Sequence, residues 1–277
     1  MHTFDLCRIA LGPISHITVM ITNELRRLSE LRSVLEGFAA RHAATHAAAS
    51  PGTLKQLRSI LKRLTNALLA KNYSAFRQAD LELHETIVNL ANIPLLRETW
   101  RSVWDNLGAL HKQGFDDCFP DPRTIAEEHE HLVETIALGD PAAAEDAART
   151  HIEAVWFGLA EQSNFTTEPE GDPLKRAVAH LVFRLHCPLK LTHVANKIAF
   201  TSPGNLSRLF RQKHGLSFQA YLQRLRLEKA AELLRTTRLP IARIAKRVGY
   251  RDVSRFGQHF KRAFKATPAA YRVAEQR

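Results

Sequence analysis

Asp80 and His84 stand four residues apart, a spacing that puts both side chains on one face of a helix. Phe76, Leu83 and Ile87 fall on that same face, so it is the one a helix would bury. His129 falls on a second apolar stripe with Ile125, Leu132 and Ile136, whereas its neighbour His131 falls off it and is expected to point outward. His151 shares an inner face with Ala147 and Ala148. One aspartate and three histidines thus point inward from three helices. Buried without partners, such groups would cost several kcal/mol. A divalent metal is one joint solution, because imidazole and carboxylate suit Zn, Ni, Fe or Mn. A hydrogen-bonded polar cluster without metal is the other, and the D-x-x-x-H spacing alone does not decide between them. Arg32, one turn before Glu36, has two readings: a partner for an anionic ligand, or one half of a surface salt bridge with Glu36.

A second group of residues suits a different chemistry. The C-terminal part repeats itself at an offset of 50: Val194-Ala195 with Ile244-Ala245, Phe200 with Tyr250, Leu206 with Phe256, Phe210 with Phe260 and Tyr221 with Tyr271. Each copy reads as helix, tight turn, helix, with Ala199 and Gly249 in the turns and Ser202 and Asp252 as N-caps of the second helix. Leu206, Leu209 and Phe210 pin one face of that helix to a core and leave Asn205, Ser207, Arg208 and Arg211 outward. The outward set of the second copy is Ser254, Arg255, Gly257, Gln258 and Lys261. Side chains of these types can read base edges in a major groove. A long helix over about 218–234 would hold the two copies apart, so that they enter successive grooves of double-stranded DNA.

The elements that must carry these residues are helices. From Glu24 onward Leu28, Leu31, Leu35 and Phe38 or Ala39 recur at three- and four-residue spacing, and Leu54, Leu57, Leu61, Leu64 and Leu68 do so after Ser50-Pro51-Gly52. Further helical stretches cover about 73–90, 94–112, 122–138 and 141–162, divided by turn residues with Pro in the next first turn. Residues 1–22 are ambiguous: Ile14–Thr22 is rich in β-branched residues, a composition open to a short strand. The reading is therefore all-α: a short segment over 1–24, an antiparallel helical bundle over 25–163, a linker over 164–173, and a domain of two helix-turn-helix units over 174–277. Charge divides at the same place. Residues 1–170 carry 16 Lys/Arg and 23 Asp/Glu, a net −7, and residues 171–277 carry 23 and 5, a net +18. The basic part suits a polyanion and the acidic part does not. Three dispersed cysteines, Cys7, Cys118 and Cys187, form no CxxC and fit a reducing cytoplasm. No apolar run reaches the ~20 residues of a membrane span, and the N-terminus lacks the pattern of a signal peptide.

Two resemblances sharpen this. The stretches SPGNLSRLFRQKHGLSFQAYLQRLRLEKAAELL (202–234) and IARIAKRVGYRDVSRFGQHFKRAFKATPAAYR (241–272) closely resemble the AraC/XylS family of transcription regulators. Lys265 departs from that family's usual Gly, which the first copy keeps as Gly215, and Gly204 replaces a larger residue at the tip of the first reading helix. The stretches ELRSVLEGFAARHAA (30–44), ADLELHETIVNLANIPLL (79–96) and EEHEHLVETIALGDPAAAEDAARTHIEA (127–154) resemble the FCD ligand-binding domain of FadR-type GntR regulators. That likeness implies six or seven helices around a central metal held by Asp80, His84, His129 and His151, which helps to bind a small carboxylate. Such domains normally follow a winged helix, and about 24 residues cannot build one; the DNA-binding part stands at the other end of this chain.

The expected function is a cytoplasmic, sequence-specific transcription regulator. Its bundle senses a small organic acid, with Arg32 a candidate for the effector's second acidic group. Its partners are DNA, the effector, a second copy through the bundle, and RNA polymerase as a further candidate; no membrane is expected. Two alternatives come from other classes. One is a metal-dependent hydrolase tethered to DNA, which turnover assays would support. The other is a constitutive DNA-binding protein with a vestigial sensor, which failure to bind any metal or ligand would support.

Overall fold

A computed structural model describes residues 14–47, 50–107, 122–162 and 172–276. Among them every regular element is helical. The first six helices are α1 (Ile14–Ala47), α2 (Pro51–Leu69), α3 (Tyr73–Leu90), α4 (Pro94–Leu107), α5 (Pro122–Ala137) and α6 (Pro141–Gln162). Then follow α7 (Pro173–Phe183), α8 (Leu191–His193), a π-helical turn over Val194–Ile198, α9 (Pro203–His214), α10 (Phe218–Thr236), α11 (Ile241–Arg247), α12 (Val253–Phe264) and α13 (Pro268–Glu275). Seven of these helices begin on a proline, whose fixed φ suits the first turn and whose missing N–H is no loss there. None of the described helices is long and apolar enough to cross a membrane.

Ile14–Thr22 belongs to α1 and is not a strand. Its β-branched residues lower helix propensity only slightly, and continuity with a long helix outweighs that preference. The α1 stripe is also phased differently from the leucine pattern. Leu31 and Phe38 are each 42% exposed, and the buried face instead runs through Ser29, Arg32, Ser33, Glu36, Ala39, Ala40, Ala43, Ala44 and Ala47. The small residues let α6 come close, with Ala144, Ala147 and Ala148 facing them. Gly37 belongs to this contact, since a Cβ there would stand 2.6 Å from Cγ of Arg149. Leu57, Ile60, Leu64 and Leu68 of α2, with Phe76, Leu83 and Ile87 of α3 and Trp100 and Trp104 of α4, complete one core. The end of the 94–112 stretch, the segment 1–13 and the linker up to residue 171 lie outside the described residues.

The repeat is present in three dimensions. Leu206 and Phe256, Phe210 and Phe260, and Ala195 and Ala245 are all fully buried at equivalent places in two separate cores. Ser202 accepts from the Asn205 backbone N–H, and Asp252 from those of Ser254 and Arg255, so both reading helices start at the expected caps. Both also end on a left-handed residue, Gly215 at φ +68° and Lys265 at φ +59°. The turns differ. Gly249 takes φ +83°, whereas Ala199 stays right-handed after the π turn and Phe200 takes φ +50° instead.

Candidate metal centre and nucleic-acid interface

Helix α3 delivers Asp80 and His84, α5 delivers His129, and α6 delivers His151. All four are buried, and one ligand atom from each lies within 4.8 Å of the others. The hydrogen bonds fix which imidazole nitrogens face inward. Nδ1 of His129 is 2.8 Å from the Ile125 carbonyl, which can only accept, so Nδ1 carries hydrogen. Nε2 of His129 then turns to Oδ1 of Asp80 at 2.8 Å. A nitrogen lone pair and a carboxylate oxygen repel at that distance unless positive charge stands between them, as a second proton or a metal ion.

His84 is held in the same way by a residue outside the expected set. Its Nδ1 is 2.5 Å from Oε2 of Glu36, and its Nε2, 3.4 Å from Oδ1 of Asp80, is buried with no hydrogen-bond partner. Oε1 of Glu36 accepts from Nε of Arg32 at 2.6 Å and from Nε1 of Trp100 at 2.8 Å. Arg32 is buried, not at the surface: its salt bridge with Glu36 lies inside the bundle, and its guanidinium stacks 4.2 Å over the ring of Trp104. A leucine-based reading of α1 puts Arg32 and Glu36 outside. The alanines at 40, 43 and 47, in helical register with Glu36, were the signal that they face inward.

Electrostatics follow from this packing. Burial alone would lower His84, but Glu36 and Asp80 raise it to about 9. Burial would raise both carboxyls; Arg32 and His84 hold Glu36 well below the ordinary range, and His84 and His129 do so for Asp80. His151 is pushed well below its ordinary value by burial, then by the charges of His129 and His84, so it stays neutral. The set thus offers carboxylate and imidazole donors, one of them an orphaned buried nitrogen, and it calls for positive charge at its centre. It fits a divalent ion of the Zn, Ni, Fe or Mn type. Glu36 and the Ile125 carbonyl supply the outer hydrogen bonds that metal-binding imidazoles commonly have.

His131 points away from this cluster as expected, but it does not face open water. It packs where α5 meets the basic domain, near Arg247, Glu128, Asp146 and Arg243, and burial followed by Arg247 lowers it to about 3. Glu128 and Arg247 form an ion pair there whose side chains are 7% and 8% exposed. Nothing in the helix periodicity points to that pair, because its partners are 119 residues apart.

The outward faces of α9 and α12 are open. Arg208, Arg211, Ser254, Arg255, Gln258 and Lys261 are exposed, and Asn205 and Ser207 are partly so. Nδ2 of Asn205 donates to Oγ1 of Thr201 at 2.8 Å, and its Oδ1 accepts from Nη2 of Arg208 at 2.7 Å. Nη1 of Arg208 donates to Oε1 of Gln212 at 2.9 Å. The outward face of α9 is therefore partly preset. Across the units, Arg226 on α10 donates through Nε to the Leu185 carbonyl at 2.9 Å and through Nη2 to the Cys187 carbonyl at 2.8 Å. A Cβ at Gly249 would stand 2.3 Å from that Leu185 oxygen, so the turn of the second unit packs directly on the first.

The FCD domain family matches residues 27–154, and a helix-turn-helix domain family matches residues 196–274. The regulatory protein PocR of Salmonella typhimurium is 33% identical over 114 residues, 40% of this chain and 37% of that protein. The arabinose operon regulatory protein of Escherichia coli is 41% identical over 72 residues, 26% of this chain and 25% of that protein. The chain therefore matches between a quarter and little more than a third of these relatives' length. The C-terminal domain of AraT, a response regulator from Geobacillus stearothermophilus, is a similar solved structure at 38% identity and TM-score 0.36, covering 39% of this chain and 88% of that one.

Proposed function

We propose that this chain, which joins an FCD domain to an AraC-type helix-turn-helix domain, is a DNA-binding transcription regulator. Its bundle senses a small organic acid at a divalent metal held by Asp80, His84, His129 and His151. The observation that carries the reading is the approach of Nε2 of His129 to Oδ1 of Asp80 with Nδ1 already committed to Ile125. The bound ion would supply a Lewis-acidic position for an anionic oxygen. The chain's own residues do the rest. Glu36 and the Ile125 carbonyl fix two imidazoles, and the buried tryptophans at 100 and 104 pack against Glu36 and His84.

Charge favours an anionic effector. Within the site Arg32 balances Glu36, and a divalent ion beside Asp80 and three neutral imidazoles leaves a net charge of about +1. A carboxylate neutralises it. Arg32, stacked on Trp104 at the Glu36 side, is the candidate for a second acidic group. Glu36 itself is saturated by three donors, from His84, Arg32 and Trp100, so it is committed to holding His84 and is badly placed to take a proton from water. That weighs against the hydrolase. Leu31, Val34 and Phe38, exposed together on α1, support pairing of two copies through this bundle.

The test is calorimetric titration of hydroxy-, keto- and dicarboxylic acids into the full chain, with zinc and with chelator. Binding of acids only with metal is the expected result. Binding unchanged after metal removal, or confined to neutral compounds, would overturn the reading.

A further inference from the structure

The FCD bundle turns an acidic face to the DNA-binding domain. Glu134 pairs with Arg243 of α11, Nη2 to Oε1 at 2.9 Å. Asp146 pairs with Lys229 of α10 at 2.5 Å. Asp140 caps α6 with one oxygen and accepts the backbone N–H of Arg238 with the other at 2.5 Å. Ala143 packs into the core of the second helix-turn-helix unit. All of these reach only the second unit and the spacer helix α10.

Glu128 reaches further. Both its oxygens accept from Nη1 of Arg247, at 3.0 and 2.9 Å, on the first helix of the second unit. Oε1 also lies 3.0 Å from Nε2 of His186, in the loop between α7 and α8 of the first unit. The residues on either side of His186 are those whose carbonyls Arg226 holds. The next residue along α5 is His129. One buried carboxylate therefore touches both DNA-binding units and stands one position from a member of the histidine cluster.

We propose that Glu128 is a positioning residue that holds the two reading helices at one separation and passes the state of the histidine cluster to them. This rests on the metal reading above. The four ligand atoms spread over as much as 4.8 Å, whereas atoms about 2.1 Å from one ion stand at most about 4.2 Å apart. Nε2 of His129 and Oδ1 of Asp80, at 2.8 Å, are in turn closer than the roughly 3.4 Å between two ligands of one tetrahedral ion, so loading the cluster shifts His129, and a helix moves as a unit, so Glu128 moves with it. Arg247 and His186 are held by that carboxylate and must follow. For DNA binding to respond, the two arrangements must differ in affinity for the duplex.

The full chain tests this, with a duplex that it selects from a random-sequence pool and derivatives with one base pair inserted between the two contacted half-sites. Glu128→Gln removes the charge and keeps the shape. Glu128→Gln combined with Arg247→Met avoids leaving Arg247 buried alone, should the single variant fold poorly. The wild type is expected to change affinity at least about fivefold between zinc and chelator, and to lose at least about tenfold on the insertion. The variants are expected to bind one zinc per chain as the wild type does, yet to show less than about a twofold zinc effect and a clearly smaller insertion penalty. Variants that respond to zinc and to spacing like the wild type would overturn the proposal, as would a wild type that binds zinc without any change in DNA affinity. A chain that binds no zinc sinks the metal reading, and the insertion series then decides the positioning role alone.

Discussion

Nε2 of His129 lies 2.8 Å from Oδ1 of Asp80 while Nδ1 of the same ring donates to the backbone one turn earlier. That relationship turns four buried polar residues into a cluster that demands positive charge. Without metal the demand is met by protons, and His84 keeps its proton up to about pH 9 through Glu36 and Asp80, against burial. Ligation needs the neutral imidazole.

Metal binding is therefore expected to release a proton at pH 8, where an ordinary histidine has none to give. Apparent affinity should keep rising with pH up to about 9 and fall as pH is lowered. Zinc titration in buffers of different ionisation enthalpy reads this directly, and an enthalpy independent of buffer at pH 8 would refute it. His129→Ala should lose the metal and His131→Ala should keep it. Glu36→Gln should weaken it by about 10- to 100-fold, as expected for a residue that orients a ligand.

Base reading is expected from both helices. Arg208→Ala and Gln258→Ala should each cost about 1–3 kcal/mol on the selected duplex and relax the preference at one or two base pairs. Arg208 has an additional cost in view, since it loses its tie to Asn205 and thereby frees that amide. Affinity for random DNA should change much less. Selection experiments with each variant check this, and an unchanged sequence preference in both would exclude these helices from readout.

How legible was all this in the sequence? The four clustered residues were, because helical period places Asp80, His84, His129 and His151 on buried faces without knowledge of the tertiary arrangement. The two outward-facing helices were, because the 50-residue repeat fixes caps and outward faces twice over. Glu36 was missed because α1 offers two stripes, and leucine spacing favours the one that the structure leaves half exposed. The burial of that face depends on alanines that admit α6, a tertiary fact. The Glu128–Arg247 pair was missed for a related reason: contacts between domains have no local period. The strand left open at 14–22 is a helix, because composition over nine residues says little about a segment continuous with a long helix.

Lys265 closes α12 at φ +59°, where the first unit has Gly215. A side chain in that region costs about 1 kcal/mol relative to glycine. Lys265→Gly is therefore expected to stabilise the second unit by about 0.5–1 kcal/mol, and the melting temperature should rise by a few degrees. The reverse change, Gly215→Lys, should destabilise the first unit by a similar amount. Thermal melts followed by circular dichroism decide it; a fall in Tm for Lys265→Gly would show that the lysine makes a compensating contact.

The contact between the domains should make stability depend on pH in a stated direction. His131 is lowered to about 3, by burial first and then by Arg247, and His186 is lowered by burial, which outweighs the opposing pull of Glu128, with Arg247 adding to the lowering. In the folded chain His131 therefore stays neutral well below pH 6.5 and His186 loses its proton more readily than a free histidine, while in the unfolded chain both take up protons near pH 6.5. A histidine whose folded value is depressed contributes stability that is present above its unfolded value and drains away as pH falls below it. The slope is at most about 1.4 kcal/mol per pH unit for each such group. Glu128 adds a second window: burial would raise it, but Arg247 and His186 hold it at about 2, so its contribution is lost only as pH falls from 4.5 toward 2. Between pH 6.5 and 5 His131 and His186 should act together with His151, which burial in the bundle core keeps neutral in the same way. Denaturant unfolding of the metal-free chain at pH 7.5, 6.0 and 5.0 should show falling stability, and His131→Gln should flatten that fall by up to about a third. Equal slopes for wild type and His131→Gln across pH 6.5 to 5 would show that His131 is free to protonate in the folded protein.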